Sequence, residues 1–206
     1  MNARILSFIF FFITLQFVSA QEISFAPEFV GGYRSMVYTH FVHVTFNKKF
    51  TISNLSLLDN EYGSDKNNIF FIRNTIAYKL HKNIAINVGV GVKKPGKFST
   101  LSLHYQLIRK TFKASYTIGG TYQKNWTLEQ SLQLVYFPRI KQNIEGYISF
   151  QMVANIDRNE YQRGFQWLRL GRKQHQIIYG LALNFDQWNN NQKTLENAGI
   201  FFNRTF

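Results

Sequence analysis

The chain contains no cysteine, so disulfide scaffolds and thiolate metal sites are excluded at the outset. Proline is scarce, at 3 in 206 residues, which argues against a collagen-like, linker-rich or disordered chain, as do the 21 Phe and 11 Tyr. Acidic side chains are few as well: 11 Asp plus Glu stand against 24 Lys plus Arg, for a formal net charge of +13. Such a balance raises two classes of partner, nucleic acid and an anionic membrane surface. Beyond residue 20 no stretch approaches 18 consecutive apolar residues, so no transmembrane helix is expected there.

The one extended apolar run, residues 5–18, follows the positive charge of Arg4 and precedes Val18, Ser19 and Ala20, a small-residue tripeptide of the kind a signal peptidase reads. The run is too short to cross a bilayer, which takes about 20 residues. Residues 1–20 are therefore expected to be a cleaved export signal, with the mature domain spanning 21–206. No Cys follows the cleavage point, so a lipid anchor is not supported.

The remainder alternates with period 2, the signature of strands with one apolar face. Ile84, Ile86, Val88, Val90 and Val92 share one face, and Ala85, Asn87, Gly89, Gly91 and Lys93 the other. Phe112, Ala114, Tyr116 and Ile118 are likewise set against Lys113, Ser115, Thr117 and Gly119. A soluble sandwich also alternates, so length must decide. Runs of about 8 to 13 residues lie near 23–33, 36–46, 50–58, 69–80, 84–93, 98–108, 112–122, 126–137, 144–156, 165–171, 175–186 and 195–206. Several match the roughly 9 to 11 residues of a tilted membrane-crossing strand rather than the usual globular 5 or 6. Pro27 cannot donate to a ladder and demotes the first run; if that run is an arm and one neighbour is misread, twelve strands become ten.

Connections sort by parity. Segments 47–49, 81–83, 109–111, 138–143 and 172–174 are the shorter turns, and 59–68, 157–164 and 187–194 the longer loops at the opposite end. Short turns on one side, longer loops on the other and an even strand count define a single all-β, antiparallel transmembrane β-barrel of about twelve strands. The turns hold nine basic residues, among them Lys48, Lys49, Lys82, Arg109 and Lys110, and no acidic one. That rim suits anionic headgroups of outer-membrane lipids, each charge contributing roughly 1 kcal/mol near such a surface. Charge confined to hairpin turns, with aromatics on apolar faces, disfavours nucleic acid. Trp126, Trp188, Tyr122, Tyr136, Phe137 and Tyr179 lie near run ends, where interfacial girdles form.

Ala198, Ile200, Phe202, Arg204 and Phe206 alternate up to a terminal aromatic. This segment resembles the closing strand of the bacterial outer-membrane β-barrel (porin-like) superfamily, with Arg204 departing from the usual apolar residue at its position. The resemblance implies that Phe206 is an assembly signal read by the barrel-assembly machinery, and an outer-membrane location.

Inside such a barrel, alternation places Arg73, Lys79, Lys93, His104, Lys113, Glu129, Glu145, Arg169 and Asp186 on the lumen wall. Glycines at 89, 91, 119 and 180 thin that wall, leaving room for water or for inward Phe71, Tyr147 and Trp167. The modest excess of cations predicts mild anion preference if the lumen is open, and cross-lumen pairing if it is filled. Residues 91–97 match the start of a phosphate-binding loop, but Phe98 stands where Ser or Thr must hold magnesium, and strands flank it. Ser102 and His104 share an inward face, whereas a lipid-attacking nucleophile must face the bilayer; His40 and His43 fall on opposite faces. No catalytic set, metal cluster or cofactor motif emerges. The sequence thus points to a passive pore for small polar or weakly anionic solutes. Its alternatives are a plugged barrel using its longer loops for surface binding or envelope structure, and, third, an outer-membrane lipid-modifying enzyme.

Overall fold

The computed structural model describes residues 22–141, 144–157, 160–188, 190 and 192–206; the expected export signal lies outside them. Thirteen strands follow in chain order: β1 (Glu22–Gly32), β2 (Ser35–Thr45), β3 (Phe50–Glu61), β4 (Ile69–His81), β5 (Ile84–Lys93), β6 (Gly96–Ile108), β7 (Phe112–Tyr122), β8 (Trp126–Tyr136), β9 (Arg139–Lys141), β10 (Ile144–Ile156), β11 (Tyr161–Gln174), β12 (Ile177–Trp188) and β13 (Lys193–Arg204). Each pairs antiparallel with its neighbours, and β1 pairs with β13 to close the sheet. Twelve strands form the wall. The three-residue β9 pairs only with β10, within the connection from β8, while β8 pairs with β10 directly.

Closure leaves no free sheet edge, and period-2 alternation then has one consequence for every strand: apolar residues on the outside, mixed ones on the inside. Val88, Val90, Leu101, Leu181 and Ile200 are all more than half exposed on the outer wall. In water such a belt would be an aggregation hazard; in hydrocarbon it is the expected surface. Trp126, Tyr122, Tyr136 and Tyr179 are exposed there too. Two of the expected girdle residues point inward instead. Phe137 is 9% exposed and packs on Tyr147, and Trp188 lies under the Arg163 guanidinium at 4.6 Å.

The first run is a full wall strand despite Pro27, which rules out the ten-stranded alternative. On its β2 side, pairing is continuous from Glu22↔Thr45 to Gly31↔Met36. On the β13 side it runs from Glu28↔Asn203 to Gly32↔Gly199, and Phe25 and Phe206 exchange both backbone hydrogen bonds beyond the gap, at 3.2 and 2.9 Å. That register sets Pro27 opposite Arg204 in the line of rungs. The missing amide thus costs one hydrogen bond in the closing seam and does not detach the strand.

The expected long loops are partly strand. β3 runs to Glu61, β11 begins at Tyr161, β12 ends at Trp188 and β13 begins at Lys193, so each of the three expected loops is shortened by strand. Charged residues read as loop are instead paired within the rim: Arg34 binds Asp59 at 2.9 Å and Glu61 at 2.5 Å, and Arg163 binds Asp186 at 2.6 Å. Neighbouring strands supply these partners, which periodicity along one strand does not reveal. Connections are consequently short at both ends, and length separates the ends less than expected. Charge still does: residues 46–49, 82–83 and 109–111 lie at the basic end that also holds the start of β1 and the end of β13.

Candidate functional site: the barrel lumen

The inner wall bounds a cavity of about 1130 Å³. Seven of the residues assigned to the lumen line it: Arg73, Lys79, Lys93, His104, Lys113, Glu129 and Arg169. Glu145 and Asp186 share the inward faces of β10 and β12 but sit at opposite ends, held by Lys173 at 3.0 Å and Arg163 at 2.6 Å. Between them, small polar side chains such as Ser53, Thr75, Asn87, Ser102, Thr117 and Gln151 form the cavity wall. His104 bonds Thr117 at 2.8 Å across the β6–β7 pair rather than Ser102, so those two make no nucleophile–base pair.

One side of the lumen is filled. Val30, Val37, Leu57, Ala182 and Phe201, from β1, β2, β3, β12 and β13, form an apolar cluster on which Phe71, Tyr147 and Trp167 pack. Beside it lies Arg169, only 3% exposed. Its Nε and Nη2 donate to Glu28 Oε1 at 3.0 and 2.9 Å, and Nη1 donates to the Asn184 side chain at 2.7 Å and the Leu168 carbonyl at 3.0 Å. Trp167 and Phe201 rings flank the guanidinium at 5.4 and 5.7 Å. Because β12 and β13 lie between β11 and β1, the Arg169–Glu28 pair is a chord across the curved wall. A second chord, Arg73 to Glu129 at 2.7 Å, joins β4 to β8. Glycines do not simply thin the wall either: a Cβ on Gly91 would lie 2.6 Å from the Phe98 ring, and one on Gly89 2.5 Å from Thr100 Oγ1, so neighbours already occupy that space.

The electrostatics follow from this pairing. Glu28, Asp59, Glu129, Glu145 and Asp186 each hold an arginine or lysine. Lys79, Lys93 and Lys113 line the cavity and make no ion pair among the described residues; Lys93 and Lys113 instead lie 4.9 and 5.8 Å from the Phe98 and Phe137 rings. The inner surface is therefore a polar wall whose carboxylates are neutralised and whose remaining charges are cationic. Sequence reading found the lysines but missed Glu28, Arg34 and Arg163 as interior partners. Glu28 sits one residue from Pro27, in a run the proline had demoted, and both arginines sit where loops were expected. Among the described residues no group of His, Asp or Glu is arranged to hold a metal.

Neither a protein-family profile nor a curated protein matches the sequence. Among solved structures the barrel is similar to the porin NanC, at 10% identity and a TM-score of 0.57, covering 89% of this chain and 98% of that one. It is also similar to the KdgM porin, at 9% identity and a TM-score of 0.53, with coverages of 87% and 98%. At such identities the likeness concerns fold. This chain is an all-β, closed antiparallel barrel of twelve wall strands with one short extra strand, a fold like that of these porins.

Proposed function

We propose that the protein resides in a bacterial outer membrane, reached through a cleaved export signal, and acts there as a passive pore for small polar, weakly anionic solutes. The observation that carries this reading is the division of charge inside the lumen. Every carboxylate named above is paired, whereas Lys79, Lys93 and Lys113 on the cavity wall are not. A polar, water-sized passage with surplus positive charge favours anions by electrostatics alone, without a substrate-specific site. The similarity of the barrel to porins supports this only at the level of architecture.

The test is conductance of the folded protein in a planar bilayer, with reversal potentials under a salt gradient. Anion-selective steps are expected, and Lys79→Glu with Lys113→Glu should shift the reversal potential toward cations. The shift should shrink as salt rises from about 0.1 M to 1 M, where the screening length falls from roughly 10 to 3 Å. A second reading, a closed barrel serving as an envelope or surface-binding component, is favoured by the apolar cluster and the Arg169 chord. Silence from protein verified as inserted would establish it in place of the pore.

A further inference from the structure

The outer wall is apolar by alternation, yet polar groups interrupt it: a Tyr116–Gln130 pair at 2.7 Å on β7 and β8 and, more extended, a five-residue patch on β2, β3 and β4. Tyr38, Asn54, Ser56 and Asn74 fall on outward positions, since their neighbours Thr39, Leu55 and Arg73 line the cavity, and His40, which also borders the cavity, shares their face by alternation and register. Register brings the five together across β2, β3 and β4. The Tyr38 hydroxyl lies 3.1 Å from His40 Nδ1, and His40 Nε2 lies 3.0 Å from Asn54 Oδ1. Ser56 Oγ donates to the same Asn54 oxygen at 3.1 Å, and Asn54 Nδ2 donates to Asn74 Oδ1 at 2.8 Å. A carbonyl oxygen only accepts, so Nε2 carries the imidazole proton and Nδ1 takes that of Tyr38. Neither ring nitrogen is left to deprotonate Ser56, and the geometry is not that of a nucleophile and base.

Depth makes the patch costly. His40 stands five residues from either end of β2, Ser35–Thr45. At about 3.3 Å per residue and a tilt near 40°, that is roughly 12 Å from each end, the middle of an apolar band about 25 Å tall. Phe29, Met36, Ile52 and Ile76 around it are exposed apolar side chains. The chain of hydrogen bonds ends at Asn74, which is exposed, and nothing among the described residues accepts from its amide nitrogen. Amide donors unsatisfied in hydrocarbon are expensive, and polar side chains at this depth mark contacts.

We propose that this face is the interface between two copies of the barrel, closed by amide–amide hydrogen bonds through Asn74 about a two-fold axis. Lipid does not fit the patch: acyl chains offer no acceptor, and headgroups and ester carbonyls lie toward the band edges, about 12 Å away. A side-chain amide offers one donor face and one acceptor face, so it is its own complement across a two-fold. The patch carries no acidic or basic partner that would call for an oppositely charged protein. This inference rests on the membrane-spanning reading above but not on conduction.

The chain has no cysteine, so single substitutions report contacts cleanly. The full chain, expressed with its own leader, is purified from membranes and oxidised in lipid bilayers. Asn74→Cys should form a disulfide-linked dimer at least about tenfold faster than Leu181→Cys on the opposite wall, and Asn74→Leu should weaken the native dimer at least about tenfold while keeping heat-modifiable gel mobility. A monomeric wild type, equal cross-linking at the two positions, or an undiminished Asn74→Leu dimer would overturn the interface, including the case in which retained lipid or another protein covers the patch. Failure of the wild type itself to insert, seen as loss of heat-modifiable mobility, would sink the membrane reading and this proposal with it.

Discussion

The Arg169–Glu28 chord makes the most demanding prediction, because it ties the stability of the barrel to the shape of its lumen. Arg169→Met keeps most of the side-chain volume but strands the Glu28 carboxylate, whose side chain is only 15% exposed, and leaves the Asn184 oxygen without its donor. Breaking a buried pair by removing one partner costs about 3–5 kcal/mol; the neighbouring cavity lets water reach Glu28, so about 3 kcal/mol is expected. Glu28→Gln alone retains an acceptor for the guanidinium and should cost less, about 1–2 kcal/mol. The double variant removes both charges and should lose no more than Arg169→Met alone, giving a coupling of at least about 1 kcal/mol. Reversible urea unfolding in lipid vesicles, followed by tryptophan fluorescence, measures all four corners of the cycle, and Trp167 beside the guanidinium provides a local reporter. In a planar bilayer the double variant should show a larger unit conductance, since the chord no longer crosses the lumen side of β12 and β13. Additive losses within about 0.5 kcal/mol, together with unchanged conductance, would refute the view that this pair is both desolvated and obstructive.

Two other predictions concern the closing seam. Pro27→Ala restores a donor opposite Arg204, so the new amide should be protected from hydrogen exchange and the Phe25 amide should exchange more slowly; a freely exchanging residue 27 would show that β1 is not laddered there. Phe206→Ala should act twice. It removes a ring stacked on Phe25 with centroids 6.0 Å apart, worth about 0.5–1.5 kcal/mol in vitro, and, if the terminal aromatic is the assembly signal, it should strongly reduce insertion in cells. Normal cellular insertion with only the in vitro loss would confine Phe206 to a packing role.

What could be read from the chain, and what could not, follows from the range of each physical signal. Alternation is local, and the strand runs it marks from residue 23 to 206 correspond closely to the wall, because each strand sorts its own residues between two solvents. The signal fades where both faces meet water. Glu61, Arg163 and Gln187 look like loop because the strands continue past the apolar band, where polar residues are tolerated on either side. Partners in other strands carry no local signal at all: Arg73 meets Glu129 across 56 positions, and Arg169 meets Glu28 across 141. A count of inward charges could therefore predict only a mild cationic excess. The pairing converts that count into something sharper, since Arg73, Arg163, Arg169 and Lys173 are consumed by carboxylates and Lys79, Lys93 and Lys113 are left to face the cavity. The same holds on the outer wall. Tyr38 with His40 and Asn54 with Ser56 each interrupt an apolar face at two successive positions, and Asn74 at one, short lapses that any single strand tolerates. Only the β2–β3–β4 register turns these lapses into one continuous hydrogen-bonded patch at mid-depth, where the cost of exposing an amide is greatest and a partner that satisfies it is most strongly selected by the physics.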